Sequence, residues 1–224
     1  MKLRLNDVRL AALLMAALIV TLLAGCARSP EGTVVAPVRA VTVEITLAAP
    51  PSNNLYYHMV IDTAGGGAGP IPVFPGSTPG QGWVTGSATH FVRYHQGQFT
   101  LFKFLDFDQF QFVQIGTPLR ADVQGQKISF TIDLNDLGVT GNSIDVNFIT
   151  LDDPFGERRT IDALITAGTS ALNLDITKDD TISNARLGFI EAPDDLRNEN
   201  GTPVPVTDAN RALDMIDVSI GIDI

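Results

Sequence analysis

The chain has three histidines, one cysteine and twenty-five acidic side chains with which to bind a metal, attack a carbon centre or move a proton. His90 and His95, in HFVRYH, stand five apart. On a strand an odd offset sends side chains to opposite faces, so the pair cannot grip one ion. His58 lies elsewhere, and one thiol does not complete a zinc set. Nucleophilic chemistry fares no better. GSTPG (76–80) has Thr78 where a nucleophile elbow carries serine, and its proline and glycine neighbours forbid the helix that must follow. GGGAGP (65–70) leads into Pro70 and Pro72 rather than into the helix start that a phosphate loop needs.

Carboxylates are plentiful, with pairs at Asp106/Asp108, Asp152/Asp153, Asp179/Asp180 and Asp194/Asp195. Two acids held about 5–9.5 Å apart in a cleft hydrolyse glycosides, which makes a carboxylate-based glycoside hydrolase one reading. Asp also favours turns through local hydrogen bonds to the backbone, and most of these acids sit between candidate strands. No cofactor is implied, calcium being the one ion that the acids would suit. DLNDLG (133–138) has Leu137 where an EF-hand loop wants a ligand, so DITKDD is the better calcium candidate, through Asp175, Asp179 and Asp180.

Aromatic side chains supply the remaining candidates. Tyr56, Tyr57, Trp83, Phe91, Tyr94, Phe99, Phe102 and Phe104 fall within one short region, and most of them must be core. In LYYHMVID (55–62) Tyr57, Met59 and Ile61 share a face, while Tyr56 and His58 lie on the more polar one. Tyr56 and His58 therefore belong either to the core or to a sugar-stacking surface. Trp83, the only tryptophan, either plugs the end of the core or joins them as a binding platform.

Cys26 follows a run that reads as an export signal. Lys2, Arg4 and Arg9 form a basic opening, and Leu10–Ala24 is apolar apart from Thr21. That run is short of the roughly 20 residues that cross a bilayer as a helix, but it has the length and flanks of a secretory signal peptide. Leu23, Ala24, Gly25 and Cys26 resemble the lipobox of bacterial lipoproteins. The resemblance implies cleavage before Cys26, acylation of its sulphur and of the new amino terminus, and a partner in the lipid bilayer. Two or more acyl chains hold stably where one is marginal. Residues 1–25 would be the signal peptide and 26–37 the lipidated cysteine with its linker, the 11 residues ARSPEGTVVAP reaching at most about 40 Å. The resemblance places the protein in the bacterial cell envelope, at the outer membrane if there are two membranes and otherwise on the outer face of the plasma membrane. Ala27 resembles the outer-membrane sorting pattern.

A formal charge of −10, more negative still without the basic leader, opposes nucleic-acid binding. With Cys26 acylated no thiol is left, so packing alone must hold residues 38–224 together as a single domain.

The spacing of apolar residues in that domain is two. RAVTVEITL (39–47), KISFTIDL (127–134) and IDVSIGIDI (216–224) each alternate apolar with polar side chains, the mark of a half-buried strand. Further strands are expected at 54–62, 88–95, 98–105, 109–114, 118–124, 143–151, 171–177 and 185–191, with Gln96-Gly97 as a two-residue hairpin turn. One short helical turn is expected near 158–165. About ten strands punctuated by turn residues predict an all-β fold, an antiparallel β-sandwich, with a closed barrel as the alternative.

Residues 64–87 break the rhythm with eight glycines and four prolines. GPIPVFP (69–75) is expected to run extended across the sandwich and bury its aliphatic side chains. The stretches YYHMVIDT, GPIPV and THFVRYHQGQFTLFKF resemble a group of exported bacterial proteins without an assigned activity. FTIDLNDLG and DVNFITLDD are similar to strand edges in DOMON-like and carbohydrate-binding sandwiches. The expectation is a non-catalytic, membrane-tethered module that binds a glycan or a protein or acts as an envelope scaffold. The alternatives are the hydrolase and a subunit of a surface complex, the last requiring an exposed apolar patch.

Overall fold

The computed structural model describes residues 39–65, 67–74, 82–152, 160–164, 171–183, 196 and 202–224. The expected leader, Cys26 and its linker lie outside the described residues, as do the candidate strand 185–191 and Asp153, Asp194 and Asp195. Residues Pro37–Ile224 form one compact unit.

Two antiparallel sheets pack face to face as a β-sandwich. The first has the order β13 (Asp180–Ser183), β14 (Met215–Asp223), β1 (Ala40–Leu47), β9 (Lys127–Asp133) and β8 (Arg120–Gln124). The second has the order β11 (Asp162–Ala163), β10 (Ser143–Leu151), β2 (Tyr56–Asp62), β5 (His90–His95), β6 (Gln98–Asp106) and β7 (Gln111–Gly116), with β12 (Leu172–Asp175) also on β10. Each sheet ends in edge strands, so the barrel alternative falls away.

The alternation read from the sequence sets the register. Ile132, Val41 and Ile222 form one cross-strand row, followed by Phe130, Val43 and Ile220, then Ile128, Ile45 and Val218. All nine are buried against Met59, Ile61, Val92, Leu101, Val146 and Phe148 of the second sheet. Burial of each such side chain contributes roughly 1.5–3 kcal/mol. The opposite face of the first sheet is polar, with Thr42 and Thr131 sharing a 3.0 Å hydroxyl hydrogen bond.

The second sheet departs from that pattern because both of its faces are covered. Six of the seven residues of β2 are buried, His58 and Asp62 among them, and Ile144–Leu151 of β10 is buried throughout. The outer cover is the Gly/Pro-rich segment. Pro70–Pro72 (β3) pairs with Val84–Gly86 (β4), and Val73, Phe74, Trp83 and Val84 turn down onto the sheet. Its aliphatic and aromatic side chains are therefore buried as expected, although Ile71 is only half-buried.

Hydrogen bonds seat this cover. The buried Asn147 amide donates to the Pro70 carbonyl (3.1 Å), the Thr160 hydroxyl donates to the Trp83 carbonyl (2.7 Å), and the Ser87 hydroxyl donates to buried Asp62 (2.6 Å). The helical turn expected at 158–165 is absent from residues 160–164. There Asp162–Ala163 pairs with Ile149–Thr150, and Asp162 accepts the Met215 amide (2.8 Å), two strand-forming contacts that outweigh a weak helical spacing.

Backbone geometry accounts for two of the glycine sites. Gln96 and Gly97 both have positive φ, 52° and 74°, as the expected two-residue turn requires. Gly86, at φ +82°, ends β4 where an added Cβ would stand 2.3 Å from the Gly69 carbonyl oxygen. Gly86→Ala is expected to destabilise the fold by about 1–3 kcal/mol, because strain at positive φ and a backbone clash act together. Urea denaturation followed by Trp83 fluorescence measures the loss.

Candidate functional site

The outer face of the second sheet carries an aromatic layer that is sealed at one end and open at the other. Alternation places Tyr56, His58 and Val60 of β2 beside Phe91, Arg93 and His95 of β5, because His58 pairs with Arg93 and Val60 with Phe91. At the sealed end the Trp83 ring lies 4.4 Å from His58 and 5.4 Å from Phe91, centroid to centroid. Phe91 stacks on Phe102 at 4.7 Å, and Phe104, Phe110 and Phe112 close the layer edge-on. Trp83 is 1 % exposed, so it plugs a core, but the core is a second one outside the sandwich rather than the end of the main one.

His58 is 2 % exposed, and neither ring nitrogen has a hydrogen-bond partner. Burial holds its pKa well below the ordinary value of 6.5, and the charges of Arg93 and His95 push the same way. It is a neutral aromatic filler at pH 7. The proposed ligand platform of Tyr56, His58 and Trp83 is accordingly corrected: the three are neighbours, but His58 and Trp83 are interior and Tyr56 alone is half-buried. The cover contributes enough apolar surface to turn the polar face of β2 into an interior.

The open end is chemically different. Tyr56 stacks on His95 with centroids 3.7 Å apart and rings 8° from parallel. His95 Nδ1 lies 3.0 Å from the Leu55 carbonyl and donates to it, which leaves Nε2 as the acceptor. Between this pair and the sealed end, the Arg93 guanidinium carbon sits 4.5 Å above the Phe102 ring. Arg93 is half-buried, and desolvation lowers its pKa from the ordinary guanidinium value while Tyr56 acts in the opposite sense. The ion pairs among the described residues, Glu44–Lys127, Asp175–Lys178 and Asp208–Arg211, leave Arg93 out. Arg93 went unnoticed in the sequence and His95 was weighed only as a metal ligand; the available signal was that the two stand two apart in HFVRYH, which puts them on one face of a strand.

The acidic candidates separate. Asp175 accepts the amide and hydroxyl of Thr177 (3.0 and 2.6 Å), and those bonds, ahead of Lys178, hold its pKa below the usual carboxylate value. Asp179 accepts the Ile224 amide (2.9 Å), and Asp180 accepts the Thr181 amide as it opens β13. No group of three or more His, Cys, Asp or Glu side chains able to hold a metal ion occurs among the described residues. DITKDD is instead the connection that carries the chain from β12 to β13, one sheet to the other. Asp106 and Asp133 likewise cap local turns, through the Gln109 and Asn135 amides.

Comparison of the chain with protein-family models, with curated proteins and with solved structures finds no match. The site must be read from its own chemistry.

Acid sensitivity follows from the histidines. His90 is buried too, which lowers its pKa to about 4, with Lys103 adding to the effect. Both rings are neutral when folded and take up a proton on unfolding below pH 6.5. Stability is therefore fully present above pH 6.5 and lost as pH falls toward the folded values, by up to about 1.4 kcal/mol per pH unit for each ring. Urea titrations between pH 7 and 4.5 should show that slope. His58→Leu should remove about half of it and raise stability at pH 7 by about 1 kcal/mol, since two buried nitrogens without partners disappear.

Proposed function

We propose that the chain is an exported bacterial lipoprotein, held to the envelope membrane by acylated Cys26, whose residues 38–224 form a non-catalytic module that binds a glycan bearing a carboxylate. Support for the anchor comes from the Leu23-Ala24-Gly25-Cys26 motif behind a basic and apolar leader, and from the lack of any second cysteine to pair with it.

One observation carries the choice of ligand. In a chain with 25 acidic and 15 basic residues, Arg93 lies half-buried over an aromatic ring, beside a stacked tyrosine and histidine, with no carboxylate paired to it among the described residues. Partial desolvation strengthens the attraction of a guanidinium for an anion. Its planar fork matches a carboxylate in a bidentate manner. The exposed rim of Tyr56 and His95 offers apolar ring surface to a sugar face, and His95 Nε2 offers an acceptor to a sugar hydroxyl. Nothing in this arrangement supplies a nucleophile or a proton-transfer pair.

Two measurements test the proposal separately. Mass spectrometry of the native protein should find the leader removed and Cys26 diacylglyceryl-modified, with Cys26→Ser accumulating as the uncut precursor. Calorimetric titration should show a uronic-acid oligosaccharide binding at least tenfold tighter than its neutral counterpart. Arg93→Gln should abolish that difference and leave the unfolding free energy from urea titration within about 1 kcal/mol of the parent. Equal affinity for the two sugars, or a difference that survives in Arg93→Gln, would refute the assignment of ligand.

A further inference from the structure

The flank where the two sheets end together is built unlike the rest of the surface. Strand β7 closes the second sheet and β8 closes the first, and only residues 117–119 join them, so both edges open on the same side. Every residue of β7 is exposed or half-buried. Among the described residues, four of the five large exposed apolar side chains gather here: Leu105 (67 %), Leu119 (52 %), Val113 and Ile115. Leu119 is held there by its amide, which donates to the Thr131 carbonyl (2.8 Å) as the chain enters β8.

An edge strand presents a row of backbone donors and acceptors, and folded proteins usually blunt it with charge, proline or a covering segment. From Gln109 to Leu119 the chain has no charged residue at all. The two register shifts of the β6–β7 ribbon fall between Leu101 and Phe102 and between Phe104 and Asp106. Between them Phe112, Val113 and Gln114 stay in one-to-one register with Phe104, Lys103 and Phe102, which leaves a regular stretch of open edge centred on Val113.

We propose that β7 pairs with β7 of a second copy of this chain, antiparallel about a two-fold axis at Val113, to make one continuous sheet across a homodimer. Self-complementarity selects this occupant, and the local lack of charge permits it. A chain at −10 repels its own copies over most of its surface, and the repulsion is screened only beyond about 8 Å at physiological ionic strength. The uncharged β7 edge lets two backbones come within strand-pairing distance without placing acid against acid. Symmetry does the rest: an antiparallel strand is self-complementary about a perpendicular two-fold, so Phe112 lies opposite Gln114 of the other copy and the N–H groups of each strand meet C=O groups of the other. Val113 then faces Val113 of the other copy, and the neighbouring Ile115, Leu105 and Leu119 leave water.

Disulfide trapping tests this in the full chain, in cells, because the chain has a single native cysteine. Single cysteines at Phe112, Val113, Gln114 and Ile115 would be compared with Lys178→Cys, in the exposed β12–β13 connection, and with the unsubstituted chain. Mild oxidation should give a species of twice the chain mass, several-fold more abundant from the β7 set than from Lys178→Cys, with Val113→Cys highest. Adding Ile115→Lys to Val113→Cys should return the yield to the Lys178→Cys level. Equal yields from β7 and Lys178→Cys, a product combining one copy with a different protein, or a yield indifferent to Ile115→Lys would overturn the proposal. Cross-linking of the unsubstituted chain would instead report a free Cys26 thiol, and so bears on the anchor rather than on this edge.

Discussion

Trp83 packs on His58 and Phe91, and through that contact the outer face of the second sheet gains a cover. Without it Val60, Phe91, Phe102, Phe104, Ile149 and Leu151 would stand on an open sheet face, a surface that soluble domains seldom leave bare. The demand runs through the rest of the molecule. A strand buried on both sides cannot keep strict alternation, and β2 and β10 do not. A long connection laid over a sheet must satisfy its own peptide groups, and Asn147, Thr160 and Asp62 are buried polar side chains placed where they do so.

The same cover decides where ligand chemistry can occur. Beneath it, rings pack at van der Waals distance and a histidine is reduced to a filler. Beyond its rim the layer continues as Arg93, Tyr56 and His95, still supported from below by Phe102 but reached by water. The guanidinium thus rests on an aromatic floor, which would lower the entropic cost of the anion binding proposed above. Site and cover are two ends of one packed layer.

How much of this was legible depends on the range of the interaction involved. Strands β1, β9 and β14 of the first sheet could be read residue by residue because each faces water on one side, so its side chains alternate in kind, whereas the short edge strand β13 was missed. The Gln96-Gly97 turn was legible for a similarly local reason: it needs two positive φ values. Residues whose role depends on a distant segment were not legible. His58 looked like a polar-face residue until 83 folded over it, and Arg93 was an unremarkable member of a strand until its neighbours were known. DITKDD shows the converse case, since closely spaced acids suggested shared ligation when each accepts a different backbone amide: Asp175 from Thr177, Asp180 from Thr181, and Asp179 from Ile224 just beyond the far end of β14. Short strands such as β3, β4 and β11 are held by partners far along the chain, and their few residues carry no spacing to detect.

The first sheet has one further property, in the order of its strands. β1 is flanked on one side by β9 and on the other by β14, so residues 40–47 and 215–223, the two ends of the described chain, lie side by side in the middle of the sheet. β1 can pair with β9 earlier, but its other edge must wait for β14, so the first sheet is not complete until the last described strand is in place. Long-range closure of this kind slows folding, because the entropy of the large loop is lost before any contact repays it. For a polypeptide threaded through a membrane pore, that delay is an advantage. If the chain is exported as proposed, the segment still on the near side would withhold β14, and the first sheet would stay incomplete until the crossing is done.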